Sequence, residues 1–122
     1  MIDIKGKGSV GLAIAYYSLR GKVSIPLESC SYNLLFDNDT SISRIKVISC
    51  CYKTKYGVYT VSIKTMGAYT NKNFDENSCD FVFIATKELD LFEIPAKEIT
   101  SKRAISLQSY AKYKVFMNHI PS

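Results

Sequence analysis

The residues whose types and spacing bear most directly on chemistry lie between Ser31 and Ser49, SYNLLFDNDTSISRIKVIS. Two apolar runs, 32–36 and 44–49, flank Asp37-Asn38-Asp39-Thr40. Such residues bond their own backbone and tolerate turns, so the stretch reads as a β-hairpin. Side chains two apart share a strand face, which sets Arg44, Lys46 and Ile48 against Ile45, Val47 and Ser49. A hairpin can bring an acid from its first strand, and an acid or amide plus a lysine two residues apart from its second, onto one divalent ion and one water. That arrangement serves metal-assisted hydrolysis of a phosphodiester. Here the positions are occupied by Asn33, Lys46 and Ile48. Asn33 offers only a neutral oxygen, Lys46 would repel a divalent ion, and Ile48 carries no charge.

The elements that must position this hairpin can be read on either side of it. Ser9 has the chemistry of an N-cap, Val10 to Arg20 carries the apolar spacing of a helix, and Gly21 stands where a C′ glycine would end it. Two adjacent apolar stripes, one through Val10, Ala13, Ile14 and Tyr17 and one through Leu12, Ala15, Tyr16 and Leu19, predict burial on more than one side. Val23 to Ile25 reads as a short strand ended by Pro26, and 58–63 alternates as a third strand of the same sheet. Residues 67–77 are polar and read as an exposed loop. Asp80 to Thr86 reads as a central strand, Lys87-Glu88 as a turn, and Leu89 to Ile94 as the next strand. Pro95 opens a short helical turn ending near Ile99. Arg103 to Leu107 is read as the last strand, followed by a tail from Tyr110 with one turn of helix.

Lys7-Gly8-Ser9-Val10-Gly11-Leu12, Arg20-Gly21, Tyr32-Asn33-Leu34 and Arg44-Ile45-Lys46-Val47-Ile48-Ser49 together resemble the PD-(D/E)XK endonucleases associated with group I introns, a class of small homing endonucleases. In that family the helix opens G-x-x-G-E, the first hairpin strand reads Y-D-L and the second R-V-Q-V-K-T. Asp80-Phe81-Val82-Phe83, Ile94-Pro95 and Ile105-Ser106-Leu107 match the family's later segments, so the resemblance covers roughly 5–116. It implies a nuclease-like α/β domain spanning 1–122: a mixed central sheet, one main N-terminal helix packed on it, and a short helical turn near residue 95. It also implies Mg2+ as the family cofactor and homo-oligomers among relatives. All four positions that the resemblance pairs with catalytic residues differ: Leu12 for the Glu, Asn33 for the Asp, Lys46 for the Gln and Ile48 for the Lys. The expectation is a nuclease fold without its catalytic residues or metal ligands. Lys46 would then either fill the ion's electrostatic place, contacting Asn33 or a phosphate, or extend from an apolar strand face to water.

Relocated chemistry would have to draw on Asp37, Asp39, Glu28 or Lys64. Asp37 and Asp39 form a candidate cation site, although acids in a tight turn normally serve the backbone. A second candidate surface combines cations with aromatics. Lys53, Lys55, Lys64 and Lys72 fall among Tyr52, Tyr56, Tyr59 and Tyr69, with Lys102, Arg103, Lys112 and Lys114 near Tyr110 and Tyr113. Cations take phosphates and rings take sugars or bases, and Tyr52-Lys53-Thr54-Lys55-Tyr56 follows the hairpin directly. The competing reading is cross-strand packing of tyrosines beside a wet lysine face.

Sixteen Lys and Arg against eleven Asp and Glu give a formal charge of +5, which suits a polyanionic partner. The four cysteines, Cys30, Cys50, Cys51 and Cys79, and the single His119 lack zinc-ligand spacing; the cysteines read as buried reduced thiols, with a structural disulfide as the alternative. No apolar run approaches a membrane span of roughly 20 residues, and the first residues do not read as a signal peptide. The expected compartment is the cytoplasm. The expected function is binding of DNA or structured nucleic acid without cutting. The alternatives are a protein-binding subunit, inhibitor or regulator, or a residual endonuclease with relocated residues.

Overall fold

The computed structural model describes residues 7–27, 31–50, 53–63, 65–66 and 71–117, with backbone alone at 7, 65–66 and 71–72. Helix α1, Lys7–Ser18, is followed by β1 (Lys22–Ser24), β2 (Leu34–Asp37), β3 (Ile42–Cys50), β4 (Thr60–Ser62), β5 (Thr65–Met66), β6 (Asn71–Lys72), β7 (Phe81–Thr86) and β8 (Leu91–Pro95). A short 3-10 turn at Ala96–Glu98, β9 (Ala104–Ser106), a kinked 3-10 segment at Leu107–Tyr113 and β10 (Lys114–Val115) complete the order. Six strands form one sheet in the order β1-β2-β3-β7-β8-β10. Among the described pairings of this sheet, only β3–β7 is parallel.

A parallel pair needs a long crossover. Residues between β3 and β7 supply it and carry β4 to β6 away from the main sheet. β7, with the sequence FVFIAT, is buried along nearly its whole length, as a strand covered on both faces should be. Its side chains alternate between two cores. Phe83 and Ala85 join Ala13, Tyr17, Leu34 and Ile45 beneath α1; Val82 and Ile84 join Val61, Ile63, Phe92 and Ile94 on the other face.

The hairpin forms as its pattern predicts, with Leu34 opposite Ile45 and Asp37 opposite Ile42. Pro95 ends β8 and leads into the Ala96–Glu98 turn. Other elements depart from expectation. Ser9 is not an N-cap: α1 begins at Lys7, and Ser9 is buried with its hydroxyl 2.5 Å from that of Ser49. Gly21 has no positive φ; a Cβ there would lie 2.4 Å from the Asp37 carbonyl oxygen, so close approach of β2 demands the glycine. α1 buries Ala13, Tyr16 and Tyr17 but leaves Ala15 and Leu19 exposed, so its second stripe is only partly covered. The 58–63 stretch is not a third strand of the main sheet, because β4 pairs with β9 in a separate two-stranded sheet. β6 lies within the expected 67–77 loop and pairs with β5. The final strand is β10, which leaves the tail to join the edge of β8.

Candidate functional site

The hairpin positions are held by backbone bonding and by the two cores. At Asn33 the regular β2–β3 ladder breaks off. Its N–H donates to the Ile45 carbonyl at 2.8 Å, and its side-chain Oδ1 accepts the Val47 N–H at 2.7 Å. The amide oxygen therefore substitutes for a backbone acceptor. Ile48, paired in register with Ile84, packs against the core opposite α1, whereas Leu12 packs against the core beneath α1. Lys46 is half-buried on the Ile48 face of β3, paired in register with Val82, and so lies across the sheet from Leu12. Burial pulls its ammonium below the usual lysine range, and the Cys79 thiol opposes that only in part.

A divalent magnesium ion is held by several oxygen donors, mostly carboxylates. The four positions provide one amide oxygen already engaged by Val47, one cation and two aliphatic side chains. They do not fit the ion. Asp37 and Asp39 do not make up the difference. The Asp39 N–H donates to Asp37 Oδ1 at 2.8 Å, Asn38 Oδ1 accepts from Thr40 and Ser41, and Asp39 adopts φ +76°. The Asp37 and Asn38 side chains and the Asp39 backbone close the turn. Among the described residues no three His, Cys, Asp or Glu side chains gather as a metal site.

The cationic and aromatic candidates are partly brought together. Residues 53–59 form a tight loop: the Thr54 N–H donates to the Val58 carbonyl, Gly57 takes φ +80°, and Lys53 bridges to Tyr59. Lys53 Nζ lies 4.9 Å from the centre of the Tyr59 ring and pairs with Glu88, which also accepts from the Tyr59 hydroxyl. Lys55 Nζ lies 5.2 Å from the Tyr56 ring, and Tyr56 is 81% exposed. Tyr52, Lys64, Tyr69 and Glu28 lie outside the described residues; Lys72 is in β6, with its side chain outside them.

The PD-(D/E)XK endonuclease family model matches residues 3–114. The chain belongs to this family. The structure of a bacterial homing endonuclease, I-Ssp6803I, aligns with a TM-score of 0.76 and 22% identity over 91% of this chain and 86% of that one. A crystal structure of MepB aligns at a TM-score of 0.48 with 14% identity, over 93% of this chain and 99% of that one. No curated protein sequence matches. The I-Ssp6803I likeness agrees with the mixed α/β PD-(D/E)XK architecture expected from the motifs. No described helix is long and apolar enough to cross a membrane.

Two polar features of this PD-(D/E)XK domain have no counterpart in the sequence reading. Asp80 clamps the starts of β3 and β7: its carboxylate accepts the Arg44 N–H at 2.7 Å and the guanidinium at 3.3 and 3.4 Å, while its own N–H donates to the Arg44 carbonyl. Burial would raise this carboxyl, but the Arg44 bonds outweigh it and hold the group below its usual range. Glu88 does not merely occupy a turn; it ties the 53–59 loop to the end of β7. Nothing local in the sequence marks either contact, because the partners are far apart along the chain.

Proposed function

We propose that this PD-(D/E)XK family member binds DNA or structured nucleic acid without cutting it. The observation that carries the reading is the state of the four family positions. Asn33 serves the β2–β3 backbone, Leu12 and Ile48 pack into the cores on either side of the sheet, and Lys46 is a half-buried cation, which repels a divalent ion rather than binding it. The fold survives such replacements because they satisfy its hydrogen bonds and fill its core.

The net charge of +5 and the exposed Lys55–Tyr56 pair support a polyanionic partner. Lys53 is in an exposed pair with Glu88, and exposed pairs are weak enough for a phosphate to compete for the ammonium. Protein binding, as a subunit, inhibitor or regulator, is the second reading. It is favoured by exposed Ile25 and Leu27 just beyond the edge strand β1. Each phosphate neutralised by a lysine adds about −0.9 to the slope of log K against log salt on duplex DNA. Titration of purified protein with labelled duplex DNA across a salt series tests the reading. Salt-dependent binding, with Lys55→Ala lowering the slope by about 1, is expected. Absence of binding at low salt both to this duplex and to a labelled single strand refutes it and leaves the protein-partner reading.

A further inference from the structure

On the sheet face opposite α1, a cleft of about 440 Å³ opens between the 53–59 loop and the Leu107–Tyr113 segment. Its volume falls within the roughly 300–1,000 Å³ common to ligand clefts. Phe92 and Leu107, both nearly buried, are part of its lining, with Tyr56, Tyr59 and Lys114. Cations stand beside rings around it. Lys55 is 5.2 Å from the Tyr56 ring, Lys112 is 5.1 Å from the Tyr113 ring, and Lys114 is 5.8 Å from the Phe116 ring.

We infer that this cleft takes unpaired nucleotides of a single-stranded nucleic acid, with bases stacking on the Tyr56 side and phosphates meeting Lys55 and Lys112. The inference rests on the nucleic-acid reading above and names the form of nucleic acid and the surface that takes it. Charge complementarity decides the occupant. The nearby acids are already matched, Glu88 by Lys53 and Asp90 by Lys114 at 3.2 Å. Lys55 and Lys112, the chain neighbours of the lining residues Tyr56 and Ala111, make no ion pair among the described residues, so the uncompensated positive charge lies at the rim of the cleft rather than in its lining.

The aromatic lining then selects unpaired bases. A base inside a duplex already has both faces stacked, whereas an unpaired base offers a free π-face to a ring, and a flanking cation adds to the attraction. Tyr56 is built for exposure. The Thr54 hydroxyl accepts the N–H groups of Tyr56 and Val58, and the positive φ of Gly57 turns the chain back, so the loop holds the ring out without packing it.

Fluorescence anisotropy with a labelled single-stranded oligothymidylate and, separately, a labelled duplex tests the inference on wild type, Tyr56→Ala and Tyr56→Phe. Circular dichroism checks that each variant is folded. Wild type should bind the single strand, Tyr56→Ala should weaken that binding about fivefold or more, and Tyr56→Phe should stay within about twofold. Duplex binding should change less than single-strand binding in Tyr56→Ala. Duplex binding with no single-strand binding, or single-strand binding indifferent to Tyr56→Ala, overturns the cleft assignment and leaves the general reading standing. Binding to neither probe overturns both.

Discussion

Replacement of Asn33 by alanine removes the acceptor for the Val47 N–H and leaves the end of the β2–β3 ladder to water. A neutral hydrogen bond contributes about 0.5–1.5 kcal/mol net. An unfolding entropy near 2.1 cal/mol/K per residue gives about 0.26 kcal/mol per kelvin for the 122-residue chain. Asn33→Ala should therefore lower Tm by about 2–6 °C. Asn33→Asp keeps the acceptor and should stay within about 0.5 kcal/mol of wild type. The two variants separate a backbone role from a disabled metal ligand. If Asn33 were one substitution from a working site, saturating magnesium would stabilise Asn33→Asp by about 2.7 kcal/mol at a hundredfold excess over Kd, or roughly 10 °C. Calorimetry with and without magnesium decides. The expected result is no magnesium-dependent shift beyond wild type, because Leu12, Lys46 and Ile48 still supply no oxygen. A neutral Asn33→Ala, or a magnesium shift of several degrees in Asn33→Asp, refutes the reasoning.

Two further perturbations follow from the charges on the sheet. Burial lowers the folded-state value of Lys46, so its charged form opposes folding below that value, and the penalty is relieved as pH rises toward 10.5, the ordinary lysine value. Lys46→Met should be more stable at pH 7 by a few tenths to about 1 kcal/mol, with the difference narrowing in alkaline urea titrations. The Asp80 carboxyl is depressed, so its contribution is present above the ordinary value of 3.8 and is lost as pH falls through the lower folded-state value. Wild type should exceed Asp80→Asn by about 1 kcal/mol or less at neutral pH, since the pair is partly exposed, and the gap should close in acid.

What was legible in the sequence was local. The turn, read at 37–40 and closed between Asn38 and Ser41, the alternation of β3 and the apolar run of β7 each announce themselves within a few residues, and the hairpin expected there forms. Contacts between distant segments were not legible. Ser9 has N-cap chemistry, yet its partner is Ser49, forty residues on. Gly21 looked like a helix stop, and the reason for it is the Asp37 carbonyl of a later strand. β4 reads like any sheet strand, and only its pairing with β9 takes it out of the main sheet. Lys53 reads as a free cation until Glu88 is placed beside it. The cleft between 53–59 and 107–114 joins two segments that no local pattern relates.

The most direct measurement is to incubate the protein with labelled duplex DNA and supercoiled plasmid in magnesium or manganese, score binding on a native gel, and run the products on denaturing and agarose gels. Retarded duplex that weakens with salt, with both substrates intact, is the predicted result. Metal-dependent cleavage abolished by substituting Asp37 or Lys64 would contradict it and place a working site in the relocated residues.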